Sequence, residues 1–100
     1  HYMAIRSFKN KTTEAINYGA NDKQTQKLLP AELHKKAQIR LAVLGAATSL
    51  NDLRQLRGNR FESLKGDRAG QFSIRINDQY RICFEWEGSD AYNVEIIDYH

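Results

Sequence analysis

The chain has 100 residues and a net charge of +3, and 41% of its residues are hydrophobic and 27% charged. This composition is typical of one globular domain and excludes a disordered chain. The single cysteine, Cys83, excludes an intramolecular disulfide and disfavours a zinc cluster, and no apolar run approaches about 20 residues. We therefore expect a cytoplasmic protein without a membrane span or signal peptide. We expect one domain over 3–100, and we interpret His1 and Tyr2, which precede Met3, as a cloning remnant.

The first half of the chain has a helical pattern. After an apolar start at 4–8, which could be a strand, the segment 12–16 predicts a short helix that ends near Gly19. The polar segment 21–26 is predicted to be a mobile connection. A longer helix is predicted from Pro30, because a proline suits a first helical turn and four apolar residues follow on one face. These residues are Leu33, Ala37, Leu41 and Leu44, and the segment 49–53 predicts one further short turn.

After Gly58 the hydrophobic period changes from helical to two, which is typical of strands. The predicted strands cover 60–64, 72–76, 80–86 and 92–99, with turn-forming residues between them. Helices followed by an antiparallel meander predict an α+β fold. We expect two N-terminal helices packed on a twisted antiparallel sheet of about four strands.

Positive charge is concentrated in the middle of the chain. Residues 54–81 contain seven Lys/Arg and three acids, whereas residues 82–100 contain five acids and no Lys/Arg. The middle block is rich in arginine, whose planar guanidinium suits phosphate groups. A polyanionic partner and a solvated basic surface both fit this pattern.

Two arginines of the middle block are predicted to share a face of the sheet. If Ile74 and Ile82 face the helices, then Arg75 and Arg81 face away from them on neighbouring strands. Like charges placed together repel each other unless an anion lies between them. The pair is therefore a candidate phosphate site, and the alternative is two surface arginines paired with acids such as Glu85 or Glu95.

Several segments of the chain resemble HigB-type toxins of the RelE/ParE superfamily. Residues 64–75, LKGDRAGQFSIR, match the signature L-K-G-D-R-x-G-x-x-S-I-R, and residues 77–84, NDQYRICF, resemble the segment N-x-x-W/Y-R-I-x-F. The ending Asp98-Tyr99-His100 matches the family's D-Y-H terminus, and residues 5–8 are also similar. The resemblance covers nearly the whole chain in order and spacing, and it is closest to the GraT-like branch.

The resemblance implies both a fold and an activity. Such toxins have the microbial RNase-like fold of RelE, enter the ribosomal A site and cut the mRNA there, without a metal or other cofactor. The implied partners are the ribosome, with its rRNA and mRNA, and a HigA-type helix-turn-helix antitoxin. The toxin would reach operator DNA only through this antitoxin.

Metal-free RNA cleavage needs a base for the ribose 2′-OH, cations for the phosphorane and an acid for the leaving oxygen. Glu62 is the candidate base. HigB-type toxins often have histidine at this position, but Glu62-x-Leu64-Lys65 resembles the E-P-L-K of the YoeB branch, whose glutamate is taken as the base. The alternative for Glu62 is a surface carboxylate paired with Lys65 or Arg60. Lys65 and Arg81 are the candidate contacts to the transition state.

The C-terminal tripeptide supplies the other implied catalytic groups. His100 is the candidate general acid, because an imidazole titrates near neutral pH; the alternative is a frayed terminal residue. Tyr99 is assigned to stacking on a base or positioning the ribose, and Asp98 to orienting His100 or Arg75.

Further basic residues are candidate contacts to RNA phosphates, which would add salt-sensitive affinity without sequence preference. They are Arg75, Arg68, Arg60, Arg57, Lys35, Lys36 and Arg40. Tyr80 and Trp86 are interpreted as core aromatics, His34 as a surface residue of a helix, and Cys83 as structural.

Two other functions remain open from the sequence. ParE toxins have the same fold and inhibit DNA gyrase without RNA chemistry. The exchange of histidine for glutamate at position 62 also admits a weak toxin that acts mainly as a co-repressor with its antitoxin. The joint presence of Glu62, Lys65, Arg81 and His100 favours the ribonuclease.

Overall fold

The computed structural model describes residues 4–99, so residues 1–3 and His100 lie outside the described part of the chain. The predicted cloning remnant and the predicted general acid therefore belong to the undescribed ends. The helices of the described part come first: α1 Lys11–Asn17, α2 Lys23–Leu28, α3 His34–Ala46 and α4 Leu50–Gln55. The strands follow: β1 Glu62–Ser63, β2 Gln71–Arg75, β3 Tyr80–Glu87 and β4 Asp90–Asp98.

The four strands form one antiparallel sheet in the order β1-β2-β3-β4. Helices that precede an antiparallel meander confirm the predicted α+β fold class. The two predicted helices correspond to α1 and α3, and the short helices α2 and α4 accompany them. No helix within residues 4–99 combines the length and the apolar character needed to cross a membrane.

The core lies between α3 and one face of the sheet. Ala37, Leu41 and Leu44 of α3 are fully buried, which confirms most of the predicted apolar stripe. They join one cluster with apolar residues of the three longer strands: Ile74, Ile82, Phe84, Val94 and Ile96. Leu33, Tyr80 and Trp86 are partly buried and pack against this cluster, as predicted for the two aromatic residues. The opposite face of the sheet is thereby left for polar and charged side chains.

The prediction of a mobile connection at 21–26 is wrong, because α2 occupies most of this segment. Asp22 caps this helix: its Oδ1 accepts a hydrogen bond from the Thr25 backbone N–H at 2.9 Å, and Thr25 Oγ1 accepts one from the Asp22 N–H at 2.9 Å. This reciprocal capping box satisfies two donors that a helix start otherwise leaves unpaired. A polar helix of only six residues can form here because its first turn is fixed in this way.

The Asp22 cap leads to a prediction about acid stability. The hydrogen bond from the Thr25 N–H lowers the pKa of Asp22 below its ordinary value of 3.8. A carboxylate whose pKa is lowered by folding stabilises the fold above its unfolded pKa, and this contribution disappears as the pH falls through the lowered pKa. The variant Asp22→Asn keeps the acceptor oxygen but cannot be protonated. We expect the excess stability of the wild type over this variant to shrink in chemical denaturation as the pH falls from about 5 through and below 3.8. A difference that stays constant with pH would contradict the role of the charge.

His34 is buried, with 4% of its surface exposed, so its interpretation as a surface residue was wrong. It is the first residue of α3, and its ring is directed back toward the end of α2. Its Nε2 lies 2.8 Å from the carbonyl oxygen of Leu29. Nδ1 has no hydrogen-bond partner among residues 4–99. The helical spacing did carry a signal for this, because His34 lies one helical turn before Ala37 on the buried side of α3.

The predicted strand at 4–8 forms only two isolated parallel bridges, Ile5 with Ala91 and Phe8 with Val94. Backbone hydrogen bonds nevertheless join this segment to the outer edge of β4 at both places. The register between β3 and β4 shifts between Cys83 and Glu85 of β3. On β4, Asn93 adopts a left-handed conformation with φ 52°. Asparagine tolerates this conformation better than most residues do. The shift lets β4 bend around the core while it remains paired.

Candidate active site

Arg75 and Arg81 are direct Cα partners on β2 and β3. Directly opposed residues of an antiparallel pair have their side chains on the same face, so the predicted common face of the two arginines is confirmed. Each arginine has its own acid: Arg75 pairs with Asp78 in the hairpin turn, and Arg81 pairs with Glu62 on β1. The repulsion between the two cations is therefore offset by local carboxylates.

The two acids considered as alternative partners, Glu85 and Glu95, have other contacts. Glu95 Oε2 lies 3.3 Å from Lys9 Nζ and 3.4 Å from Arg68 Nη1. Glu85 accepts a hydrogen bond from Asn93 Nδ2 at 3.2 Å. The alternative in which Glu85 or Glu95 pairs with the two arginines is not what forms, because acids of the turn and of β1 reach the arginines instead.

Arg81 is 7% exposed, although it lies on the face away from the helices. Its Nε donates to Ser73 Oγ at 2.8 Å, and its Nη2 donates to the backbone carbonyl oxygens of Ser73 and Arg60. Glu62 Oε1 lies 3.4 Å from the same Nη2. These contacts fix the plane of the guanidinium, while Nη1 has no hydrogen-bond partner within residues 4–99. A guanidinium held in this way is preorganised to receive an anion at Nη1.

The segment between α4 and β1 covers Arg81. Residues Arg57–Asn59 form a 3₁₀ turn, and Arg60 follows in the left-handed conformation with φ 44° and ψ 53°. This conformation costs a residue with a β-carbon about 1–2 kcal/mol. It turns the Arg60 carbonyl toward Arg81, and a hydrogen bond with a charged donor contributes about 1.5–3 kcal/mol. The contact with Arg81 is therefore large enough to offset the cost of the turn.

An open pocket of about 370 Å³ lies above this arrangement and is lined by Arg60, Phe61, Glu62 and Arg81. Its volume is within the range of small-molecule sites. The Phe61 ring stacks on Phe72 with centroids 5.6 Å apart and an interplanar angle of 18°. Because Phe72 is part of the sheet, this stacking gives the pocket a firm apolar wall beside its charged groups.

Glu62 lies on β1 opposite Ser73, and its side chain is 49% exposed. The sequence offered Lys65 or Arg60 as the ion-pair partner of Glu62. Within residues 4–99, Glu62 forms its ion pair with Arg81 instead. Lys65 follows β1, is exposed, and has no side-chain hydrogen bond or ion pair with any residue in 4–99. The structure therefore joins Glu62 to Arg81 directly and leaves Lys65 available at the start of the next turn.

Tyr99 and Asp98 end on different faces of the sheet. The Arg81 Cζ lies 5.4 Å from the centre of the Tyr99 ring, a cation–π arrangement at the predicted site. Asp98 is opposite Tyr80 and so shares the face of the helices, and its Oδ2 accepts a hydrogen bond from Gln79 Nε2 at 3.2 Å. The predicted role of Asp98 in orienting His100 or Arg75 stays a prediction, and Arg75 itself is paired with Asp78. His100 lies outside the described residues.

Comparison with known families gives one match that covers almost the whole chain. Residues 6–100 match the family described as the RelE-like toxin of the type II toxin-antitoxin system HigB. The chain belongs to the HigB-like toxin family. The family assignment made from the motifs at 64–75, 77–84 and 98–100 is thereby confirmed.

Two curated relatives align with this HigB-like toxin over nearly the full length of both chains. Toxin HigB-1 of Vibrio cholerae is 38% identical over 91 residues, which are 91% of this chain and 92% of that protein. Endoribonuclease HigB of Proteus vulgaris is 33% identical over 97 residues, which are 96% of this chain and 99% of that protein. A solved YoeB/ParE toxin from Agrobacterium tumefaciens aligns with a TM-score of 0.46 at 25% identity and covers 77% of this chain and 84% of that chain.

The predicted RNA contacts of this HigB-like toxin fall into two groups. Lys35, Lys36, Arg57 and Arg60 have exposed side chains. The others are held by neighbours: Arg68 Nη1 donates to Gln71 Oε1 at 3.0 Å and lies near Glu95, Arg75 pairs with Asp78, and Arg40 Nη1 donates to Asn59 Oδ1 at 3.0 Å.

Asp78 shows that several of these cations share one neighbourhood. The hydrogen bond and charge of Arg75 lower the pKa of Asp78, and the charges of Arg60 and Lys36 lower it further. Lys36 on α3 and Arg60 in the turn therefore lie close enough to the hairpin to act on one carboxylate.

Ser73 was missed from the sequence, although strand parity places it on the face of Arg75. It is fully buried and is the partner of Arg81 Nε. Its small polar side chain, two residues before Arg75 on the same face of β2, was the available signal. Cys83, opposite Ser73, is also fully buried, and burial raises the pKa of its thiol to about 11, which agrees with a structural role.

Proposed function

We propose that this protein is the toxin of a type II toxin–antitoxin system and that it cuts mRNA in the A site of the translating ribosome without a metal. The observation that carries the proposal is the arrangement around Arg81, which is nearly buried, with a carboxylate oxygen of Glu62 at 3.4 Å and the Tyr99 ring at 5.4 Å. A fixed cation, a carboxylate and an aromatic ring beside an open pocket suit the binding of one nucleotide and its phosphate. The relative named Endoribonuclease HigB supports the same activity.

In the proposed reaction, Glu62 takes the proton of the ribose 2′-OH, and the 2′-oxygen attacks the adjacent phosphorus. The bond between phosphorus and the 5′-oxygen breaks, which leaves a 2′,3′-cyclic phosphate and a 5′-OH. Arg81 Nη1 and Lys65 stabilise the negative charge of the phosphorane, and the leaving oxygen receives a proton from His100. Tyr99 stacks on a base or positions the ribose. Every step is a proton transfer or a displacement at phosphorus, so none needs a redox partner.

Glu62 and Arg81 form an ion pair before RNA binds, and this pair bears on the proposed role of each residue. The ion pair keeps the carboxylate in the pocket and on the same side as the phosphate contact. When a phosphate reaches Arg81 Nη1, the hydrogen bonds of Nε and Nη2 can remain in place. The cation therefore needs no rearrangement at the moment of reaction, which is the condition for efficient charge stabilisation.

The exposed cations Lys35, Lys36 and Arg57 are proposed contacts to ribosomal RNA, as are Arg68, Arg75 and Arg60, of which Arg60 lines the pocket itself. Such contacts give affinity that falls with salt and has little base preference. The proposed partner is a HigA-type helix-turn-helix antitoxin, through which the toxin reaches its operator DNA, and the proposed location is the cytoplasm.

Induction of the protein in cells, followed by primer extension on a translated mRNA, tests the proposal. We expect in-frame breaks that disappear when the start codon of the reporter mRNA is removed. Breaks that persist without translation would contradict ribosome dependence. Absence of breaks, together with inhibition of DNA gyrase in a supercoiling assay, would favour the ParE-like function. Absence of both, with intact repression of the operator, would favour the weak toxin.

A further inference from the structure

Arg40 lies between α3 and the 3₁₀ turn Arg57–Asn59, and its side chain is directed into the protein rather than into solvent. Its Nη1 donates to Asn59 Oδ1 at 3.0 Å. An added Cβ at Gly58 would lie 2.6 Å from Arg40 Nη2 and 3.3 Å from Nη1, so the guanidinium fills the space that a side chain at position 58 would occupy. The turn and the arginine are therefore packed against each other.

Asn59 transmits this contact to the backbone of the turn. It is fully buried, and its Nδ2 donates to the carbonyl oxygen of Leu53 at 3.1 Å, while its Oδ1 accepts from Arg40. One side chain thus links α3, α4 and the turn. A buried amide with both ends bonded has little freedom to move, because any shift would leave a polar atom unpaired.

The next residue in the chain is Arg60, whose left-handed backbone directs its carbonyl to Arg81 Nη2. Its N–H donates to the carbonyl oxygen of Arg57 at 3.2 Å, and the N–H of Asn59 donates to that of Leu56 at 3.0 Å. The position of the Arg60 carbonyl is therefore set by the turn, and the turn is held by Arg40 through Asn59.

We propose that Arg40 is a positioning residue of the active site, which holds the 57–60 turn so that the Arg60 carbonyl orients the guanidinium of Arg81. The proposal rests on the proposed function of Arg81 and replaces the prediction that Arg40 contacts RNA phosphates. A misplacement of about 1 Å in a catalytic group can lower a rate by as much as about 100-fold. A phosphate contact and a positioning residue differ in what they change. The former alters RNA affinity and its salt dependence, whereas the latter alters the rate of the bound complex.

Gly58→Ala tests the proposal without touching any side chain of the site. Its φ is not in the left-handed region, so alanine fits the backbone, but the new Cβ would push the flexible end of Arg40 away from Asn59. The rate of mRNA cleavage is measured over a range of concentrations of purified ribosomal complexes, up to saturation, for the wild type, Gly58→Ala, Arg40→Ala and the double variant. We expect kcat to fall roughly tenfold in each single variant with little change in KM. In the Arg40→Ala background, Gly58→Ala should lower kcat by less than about twofold, because the group it displaces is gone.

Two further variants serve as controls. Arg40→Lys keeps one donor that can reach Asn59, and we expect it to recover part of the lost rate. Lys27→Ala removes a positive charge from an exposed helix position, and we expect a rate within about twofold of the wild type. The unfolding temperature of each variant is measured as well, so that the assay is run below the unfolding transition of every variant. If Arg40→Ala fails to fold, Gly58→Ala and Arg40→Lys still decide the question through their separate kcat and KM values.

Additive effects of the two single changes would overturn the proposal. So would an increase in KM and a weaker salt dependence at unchanged kcat, which would identify Arg40 as an RNA contact. The proposed function is tested separately through Arg81→Ala in the same assay. Loss of cleavage in Arg81→Ala, combined with normal rates in Arg40→Ala and Gly58→Ala, would refute the positioning role alone. Normal cleavage in Arg81→Ala would refute the active site itself.

Discussion

Arg81→Ala is expected to lower the rate of mRNA cleavage on ribosomes by about 100-fold or more, because it removes a preorganised donor to the transition state. The guanidinium is fixed by Ser73 and by the Arg60 carbonyl, so Nη1, which has no hydrogen-bond partner in the part of the chain that the structure describes, meets the phosphate without rearrangement. The measurement is single-turnover cleavage of an mRNA bound to purified ribosomes. An undiminished rate would remove Arg81 from the mechanism.

Two comparisons separate the chemistry of Arg81 from its structural contacts. Arg81→Lys keeps a positive charge but loses the planar fork, so it should recover only a small part of the rate. Arg6→Ala removes an arginine whose Nε lies 3.3 Å from Asp90, at the far end of β4, and should leave cleavage unchanged. Because Arg81→Ala leaves the Ser73 hydroxyl and the Arg60 carbonyl without their donor, its unfolding temperature is measured alongside.

Glu62→Gln is expected to lower the cleavage rate by about 100-fold or more, because the amide cannot accept the 2′-OH proton. The exchange preserves the size of the side chain and an oxygen that can face Arg81. Since the side chain is half exposed, we expect the fold to be retained. The measurement is again single-turnover cleavage, with a binding assay to show that the ribosome is still engaged.

Glu85→Gln is the matched control for Glu62→Gln. Glu85 lies on β3, is exposed, and accepts a hydrogen bond from Asn93 rather than from an arginine of the site. Its exchange should leave the rate within about twofold of the wild type. Equal rates for the wild type and Glu62→Gln would mean that another group acts as the base and that Glu62 serves only to hold Arg81.

The sheet and its two faces could be predicted from the sequence because strand parity is a local property. Alternation of Ile74 and Ile82 with Arg75 and Arg81 placed the two arginines on one face of neighbouring strands, and the register, in which they are direct partners, bears this out. The burial of Arg81 could not be predicted in this way. It depends on the segment 57–61, which has no period, and on a left-handed residue that is neither glycine nor asparagine.

The errors in the helical half have a similar cause. The capping signal of Asp22 and Thr25 was present in the sequence. The helix that it starts, Lys23–Leu28, is too polar to show an apolar stripe at helical spacing. The contacts of His34 and Arg40 are with residues from other elements, Leu29 and Asn59. Arg40 was assigned to RNA contacts and His34 to the surface of a helix, because a tertiary hydrogen bond cannot be read from the local sequence.

The bridges between the N-terminal segment and β4 also affect how the protein behaves at high concentration. The outward N–H and C=O groups of Ala91 and Val94 are bonded to residues 4–9, so a second chain finds no continuous row of free groups along this border. The other border is β1, which is only two residues long. Short or covered borders of a sheet discourage pairing between molecules and hence aggregation. Removal of the first nine residues would expose a nine-residue strand, and we therefore expect such a truncated protein to self-associate.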